Sequence, residues 1–144
     1  MILSTKIKEA KFLVAKDELT YGEVLEDFSK ANKIFILTYS ISNKNNELLK
    51  ALKQCGENTQ VKIISNIPGR WQEYFNDNYA KRAQKNISIY KSKLNPEKIS
   101  ERAESYFCFA NHAKIIMTEN IAYVGSANFS EESSENFEAG FISR

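Results

Sequence analysis

The stretch NHAKIIMTENIAYVGSANFS, residues 111–130, decides how this chain folds. Two strand-like runs within it, 112–118 and 121–124, are separated by the short polar pair Glu119 and Asn120. Strand runs joined by so short a turn favour an antiparallel hairpin. We therefore predict a hairpin over 112–124, followed at Gly125 by the end of the strand pattern.

Polar groups collect at the open end of this predicted hairpin. His112, which is the single histidine of the chain, and Lys114 are two residues apart, so a strand would place both on one face. After the second strand, Gly125 allows close backbone approach, and Ser126 and Asn128 offer a hydroxyl and an amide where we expect a helix to start. Free N–H groups at a helix start favour an anion. Taken separately, a His-x-Lys pair is more often part of an exposed strand face, and a Gly-Ser-x-Asn stretch is more often a capped turn.

Further upstream, apolar runs alternate between strand-like and helix-like pieces. The runs 12–15, 34–37, 61–64, 87–90 and 106–109 are patterned as strands. Helices are predicted between them, the first opened by a capping-box spacing between Thr20 and Glu23. Alternation of this kind indicates a parallel α/β core, to which the later hairpin adds antiparallel strands. We predict one domain, 1–144, of the α/β class, with a mixed sheet flanked by helices on both faces.

Composition limits the classes of protein to consider. The chain has 144 residues, of which 42% are hydrophobic and 26% charged, values that exclude disordered and collagen-like classes. No run approaches 18 apolar residues, so no membrane span is predicted. The first residues are interrupted by charge too early for a secretory signal, and a cytoplasmic location is expected. The two cysteines have neither CxxC nor zinc spacing, and no metal site is predicted.

Positive charge is concentrated in the middle of the chain. Residues 62–114 contain ten Lys or Arg and five Asp or Glu, whereas residues 115–144 contain one and five. A polyanionic partner should therefore approach the middle segment, although a solvated basic surface would give the same count. Lys91 and Lys93, just past a predicted strand end, are the candidates for phosphate contact. The aromatic residues of this segment, Trp71, Tyr74 and Phe75 in particular, are better explained as core.

The hairpin stretch resembles the phospholipase D superfamily. His112-x-Lys114, the acidic Glu119, and Gly125-Ser126-x-Asn128 are similar to that superfamily's HxK(x4)D(x6)GSxxN signature, in which the asparagine also occurs in the spacing Gly-Ser-x-Asn found here. The flanking residues are typical of the nuclease-like members of the superfamily. The chain differs in two respects: Glu119 stands where Asp is usual, and five residues rather than six precede Gly125.

The resemblance implies the phospholipase D-like fold and a two-step phosphodiester hydrolysis that needs no metal or other cofactor. One histidine attacks phosphorus, a second protonates the leaving oxygen, and lysine and asparagine hold the phosphate oxygens. His112, Lys114, Ser126 and Asn128 match the catalytic positions, Gly125 a substrate-binding one, and Glu119 a supporting one. Glu138, with Glu135 as the fallback, matches a glutamate that orients the histidine.

The implied chemistry needs two histidines, and this chain has one. A symmetric homodimer would supply the second from the same patch of its partner. We expect an endonuclease for DNA or RNA with no membrane partner. The alternatives are a catalytically weakened nucleic-acid-binding module, a nuclease domain of a longer restriction or defence protein, and a phospholipid phosphodiesterase.

Overall fold

A computed structural model describes residues 7–39, 41, 47–66, 78, 81, 84, 88, 103–108, 110–129, 133 and 135–144. Within these ranges the named elements are seven strands and two helices. In chain order they are β1 (Lys11–Ala15), α1 (Gly22–Asp27), β2 (Lys33–Thr38), α2 (Glu47–Gln54), β3 (Gln60–Ser65), β4 (Ala103–Phe107), β5 (Ile115–Thr118), β6 (Ala122–Gly125) and β7 (Glu138–Ser143).

The seven strands form a single mixed sheet in the order β1-β7-β6-β5-β2-β3-β4. Strands β2, β3 and β4 are parallel, whereas β5, β6, β7 and β1 join by antiparallel pairing. The division follows from the connections, because parallel neighbours need a long crossover and antiparallel neighbours can be joined by a short turn. The predicted α/β class, mixed sheet and β5–β6 hairpin are confirmed.

One face of the sheet forms the hydrophobic core. Its strands contribute alternate residues such as Ile34, Ile36 and Ile63, all at most 1% exposed. The side chains of Val24 from α1 and Leu48 from α2 belong to the same buried cluster. Burying each such side chain stabilises the fold by about 1.5–3 kcal/mol. Both named helices therefore pack on this one face, and the predicted helices on the opposite face are not among the named elements.

Local expectations about two segments are corrected. Helix α1 begins after Tyr21, and no side chain caps it. The hydroxyl of Thr20, predicted to cap the helix, instead donates to the Tyr123 hydroxyl at 2.8 Å, because the ring of that tyrosine is buried beside it. In the segment predicted as a strand over 87–90, Ser88 is helical, and its three neighbours lie outside the described residues.

The opposite face of the sheet carries an exposed apolar strip. Phe12, Val14, Val124 and Phe141, named here the apolar strip, are 49–60% exposed. They lie on one face because Phe12 and Val124 are both paired with Phe141 in the strand register, and the rings of Phe12 and Phe141 are 5.1 Å apart. This surface could not be predicted from the sequence, since its four residues come from three separate strands. Among the described residues, no helix has the length and apolar character needed to cross a bilayer.

Candidate active site

A cleft lies at the open end of the β5–β6 hairpin. It has a volume of about 610 Å³ and is bordered by the end of β2, the segment before β5 and the segment after β6. The lining residues are Tyr39, His112, Ala113, Lys114, Ile115, Val124, Gly125, Ser126 and Asn128. The cleft thus brings together His112, Lys114, Gly125, Ser126 and Asn128, five of the residues predicted from the sequence.

Asn111 fixes the segment that carries His112. Its side-chain Nδ2 donates to the carbonyl oxygens of Thr38, at 3.1 Å, and Ile64, at 3.3 Å, and its Oδ1 accepts from the Ala113 N–H at 2.9 Å. Its own carbonyl oxygen accepts from the side chain of Asn66 at 2.7 Å. Asn111 is 9% exposed and ties the segment to the carboxyl ends of β2 and β3.

His112 and Lys114 share the cleft for a different reason from the one predicted. Strand β5 begins at Ile115, so alternation along a strand does not align the two side chains. They meet around Tyr39: the His112 and Tyr39 rings are 4.9 Å apart and inclined by 53°, and the Lys114 Nζ lies 5.5 Å from the Tyr39 ring centre. The Lys114 Nζ also donates to the His112 carbonyl oxygen at 3.3 Å. The imidazole makes no hydrogen bond to the described residues.

The backbone after β6 does not present the free N–H groups that were predicted to favour an anion. The N–H of Gly125 donates to the Lys114 carbonyl oxygen at 3.2 Å, and that of Ser126 donates to Ala139 at 2.9 Å. The N–H of Asn128 donates to the Ser133 hydroxyl at 3.0 Å. These three N–H groups are therefore occupied within the fold, because β7 and the Ser133 side chain lie against the segment that was expected to open a helix.

The carboxamide of Asn128 belongs to the cleft lining. Its Oδ1 is buried and has no hydrogen-bond partner within the described part of the chain. A buried acceptor left in this state costs about 1–3 kcal/mol. An anion in the cleft would be bound by the amide Nδ2, since a carboxamide oxygen only accepts hydrogen bonds.

Glu138 is placed against Ser126. The hydroxyl of Ser126 donates to the Glu138 carboxylate and accepts from the Ala139 N–H at 3.0 Å. Glu138 is 9% exposed at the start of β7, whereas Glu135 is exposed. No contact between Glu138 and the His112 imidazole is found among the described residues, so the orienting role stays a prediction for Glu138.

Position 125 needs a glycine because the side chain of Tyr123 occupies the space that a Cβ would take. A Cβ on Gly125 or on its register partner Gly140 would overlap the Tyr123 ring or hydroxyl, and on Gly125 it would also lie 2.6 Å from the Ala139 carbonyl oxygen. Burial raises the pKa of Tyr123, while hydrogen bonds from Thr20 and the Ala127 backbone oppose the rise. Gly125 was expected to allow close approach to its backbone, and the group that approaches it is the Tyr123 side chain.

Glu119 lies at the other end of the hairpin and holds it to β2. Its Oε1 accepts from the backbone N–H and the side-chain Nδ2 of Asn32, at 2.8 and 3.1 Å, and its Oε2 accepts from the Lys33 N–H at 3.0 Å. Hydrogen bonding, led by the Asn32 backbone N–H, lowers the pKa of Glu119 to about 2. The longer carboxylate thus reaches two consecutive backbone donors at the start of β2.

Some site residues were not identified from the sequence, and others lie outside the described ranges. Lys91 and Lys93 are outside them. Asn111 and Tyr39 were missed because their roles depend on contacts between segments more than 40 residues apart; the only signal was that each follows or precedes a predicted strand. Within the described residues, no group of three or more His, Cys, Asp or Glu could hold a metal ion.

Comparison with known proteins identifies the family. The profile described as "Cardiolipin synthase, PLD-like domain" matches residues 24–144. The chain therefore belongs to the phospholipase D-like family, as the HxK and GSxN motifs predict. A sequence comparison with curated proteins gives no significant match.

Solved structures share the fold at low sequence identity. The Salmonella typhimurium phospholipase D family member Nuc superposes with a TM-score of 0.58 at 19% identity, over 94% of this chain and 83% of Nuc. NucT from Helicobacter pylori gives 0.54 at 18%, over 93% and 85% of the two chains. Polyphosphate kinase from Porphyromonas gingivalis gives 0.54 at 14%, over 94% of this chain and 23% of the kinase. These likenesses establish the phospholipase D-like fold.

Proposed function

We propose that this protein is a metal-independent phosphodiesterase of the cytoplasm that cleaves the DNA or RNA backbone through a phosphohistidine, in a site completed by a second copy. Membership of the phospholipase D-like family supports phosphodiester chemistry in general. The observation that favours it most is the cleft, in which a nucleophilic imidazole, an ammonium and an amide lie together. We treat residues 1–144 as one catalytic domain.

Each group of the cleft has a chemical task in this proposal. An imidazole nitrogen of His112 attacks phosphorus, and the bond from phosphorus to the leaving oxygen breaks. Water then attacks the phosphohistidine, which releases the phosphate monoester and restores the imidazole. Lys114 and Asn128 stabilise the charge that develops on the phosphate oxygens. Ser126 and Glu138 support this end of the hairpin through their hydrogen bond.

A second copy is needed because attack and proton donation occur in the same step. While one imidazole bonds to phosphorus, a second group must protonate the leaving oxygen, and the chain holds one histidine. His112 of the second copy would supply that proton. The apolar strip supports such an association, because exposed apolar patches commonly mark interaction surfaces and Val124 belongs to both the strip and the cleft lining.

Nucleic acid is the proposed substrate because the basic middle of the chain would attract a polyanion. Lysines contact phosphates without reading sequence, so we expect cleavage with little base preference. Lys91 and Lys93 remain the proposed phosphate contacts there.

Cleavage in the presence of EDTA tests the activity. Single- and double-stranded DNA and RNA are incubated with wild type and with His112→Ala purified in parallel, and products are resolved by electrophoresis. We expect metal-independent cleavage by wild type alone. Equal cleavage by both proteins, or cleavage that vanishes in EDTA and returns with Mg²⁺, would contradict the proposal. Binding without turnover by wild type would favour the nucleic-acid-binding alternative.

Sedimentation of strip variants tests the second copy. Phe141→Ser should weaken a wild-type dimer and lower cleavage at low protein concentration, with recovery at high concentration. Phe137→Ser is the matched control, since Phe137 is 75% exposed and lies outside the strip. A wild-type monomer that cleaves at full rate would show that the single-chain site is sufficient.

A phospholipid phosphodiesterase is the second candidate, because the apolar strip could contact a lipid surface beside the cleft. Hydrolysis of phospholipid vesicles in EDTA distinguishes the two activities. Headgroup release that requires His112, without cleavage of nucleic acid, would favour the lipid substrate.

A further inference from the structure

Tyr39 lines the cleft between His112 and Lys114, and the proposed chemistry gives it no role. It directly follows β2, and its ring contacts the imidazole of His112 while the Lys114 ammonium lies over it. The chain distance from Tyr39 to His112 is 73 residues, so the fold, and not local sequence, creates this contact.

We propose that Tyr39 is a positioning residue, whose ring holds the His112 imidazole and the Lys114 ammonium in the orientation in which both reach a phosphate in the cleft. The catalytic consequence rests on the proposed function, whereas the positioning itself does not.

The ring restrains His112 without engaging its nitrogens. The described residues give the imidazole no hydrogen bond that would set its χ2 torsion, and this torsion by itself has broad minima. A tilted ring contact at 4.9 Å limits that rotation by packing alone. A carboxylate or carbonyl partner would instead occupy one nitrogen and select a tautomer. The contact with Tyr39 therefore fixes direction and leaves both nitrogens available.

The same ring keeps the Lys114 ammonium near the cleft through weak contacts that a bound phosphate could replace. Attraction between an ammonium and an aromatic face is weak at partly exposed sites, and the Lys114 hydrogen bond to the His112 carbonyl oxygen is long, at 3.3 Å. A phosphate oxygen offers a stronger, charge-assisted hydrogen bond. We expect the ammonium to transfer from the ring to a bound phosphate over a short distance.

Tyr39 is suited to this role because its backbone is held firmly. The carbonyl oxygen of the preceding Thr38 accepts from the Asn66 N–H at 3.0 Å and from the Asn111 side chain at 3.1 Å. The backbone that leads into Tyr39 and the segment that carries His112 are thus held through the same carbonyl oxygen, and a site built on such rigid elements keeps its geometry.

NMR of the single histidine tests the positioning directly, without any activity. The imidazole Cε1–H and Cδ2–H signals of His112 are recorded for wild type, Tyr39→Phe and Tyr39→Leu, with Tyr106→Leu as a control at an exposed tyrosine that does not line the cleft. We expect Tyr39→Leu to shift both signals through loss of the ring current, and the other two variants to leave them in place. Unchanged signals in Tyr39→Leu would overturn the proposal.

Titration with inorganic phosphate extends the same experiment to the ammonium. Phosphate should shift the His112 signals saturably in wild type and Tyr39→Phe, and Tyr39→Leu should need a several-fold higher concentration. Equal affinity in Tyr39→Leu and wild type would contradict a positioning role for the ring. Loss of affinity in Tyr39→Phe as large as in Tyr39→Leu would contradict it also, since the hydroxyl and not the ring would then matter.

Cleavage kinetics then measure the catalytic consequence. We expect Tyr39→Leu to lower kcat by roughly 10- to 100-fold, as small misplacements of reacting groups do, with a smaller effect on KM and near-complete rescue by Tyr39→Phe. Altered NMR signals with an unchanged kcat would overturn the catalytic part. Inactivity of wild type itself, with the NMR result as expected, would count against the proposed function and leave the positioning intact.

Discussion

The two ends of the β5–β6 hairpin differ in how their polar groups are satisfied. At the turn, the Glu119 carboxylate accepts three hydrogen bonds, and the Thr118 hydroxyl donates to Asp27 at 2.6 Å. At the cleft, the His112 imidazole contacts an aromatic ring, and the Asn128 Oδ1 has no partner among the described residues. A buried polar group left unsatisfied lowers stability and calls for an explanation such as a functional role. The end at the turn is named here the stabilising end, and the end at the cleft is named the reactive end because the proposed chemistry would take place there.

Removing the charge of Lys114 from the reactive end should strongly reduce cleavage. We expect Lys114→Met to lower phosphodiester cleavage by about 10²–10³-fold, because it removes electrostatic stabilisation of the transition state. Its thermal unfolding should stay close to that of wild type. Lys53→Met, at an exposed lysine in the last turn of α2, is the matched control and should retain cleavage. Retained cleavage by Lys114→Met would show that Lys114 does not stabilise the transition state at the cleft.

A Cβ at position 140 should destabilise the protein by crowding the side chain of Tyr123. Gly140→Ala places a methyl group against the Tyr123 ring, and overpacking of this kind costs about 1–3 kcal/mol. Gly22→Ala is the control, since nothing lies within 4 Å of its added Cβ. Denaturant unfolding of the two variants measures the difference. Equal stability would mean that the ring moves without cost.

Thr118→Val tests the stabilising end. The hydroxyl donates to Asp27 and accepts from the N–H groups of Asn120 and Ile121 at 3.1 and 3.2 Å. Its removal should cost about 1–2 kcal/mol in the free energy of unfolding. Cleavage per folded molecule should be unchanged. A loss of cleavage larger than the loss of folded protein would show that Thr118 at the stabilising end also influences catalysis at the reactive end.

Acid should weaken the stabilising end gradually. Because the pKa of Glu119 is lowered from 4.5 to about 2 in the folded state, its contribution is complete above pH 4.5 and is lost as pH falls toward 2. Glu119→Gln should be less stable at neutral pH, and the difference from wild type should shrink in acid. Thermal unfolding across this pH range measures the effect. A stability difference between wild type and Glu119→Gln that is constant with pH would mean that it arises from packing and not from the charge of Glu119.

The strands and the gathering of the motif residues could be predicted because they depend on local patterns. Apolar runs such as 34–37 and 61–64 are buried by any fold that forms a covered sheet, and the GSxN motif follows a strand wherever the hairpin forms. The alternation of strand-like and helix-like runs indicated the mixed α/β sheet, and the family resemblance implied the same fold class.

The contacts between distant segments could not be predicted. The Thr20 hydroxyl could equally satisfy a helix end or a buried tyrosine, and the N–H groups near Ser126 could face an anion or β7. Which partner a polar group takes depends on tertiary packing, which also places Tyr39 beside His112 and exposes the apolar strip.

The proposed role of His112 is tested most directly by the rate of EDTA-resistant cleavage per folded molecule of His112→Ala, measured beside Glu119→Gln. We predict a loss of at least ~10³-fold for His112→Ala, because a group that acts as nucleophile and as acid is removed, and a rate near wild type for Glu119→Gln. Wild-type cleavage by His112→Ala would contradict the assignment of the reactive end.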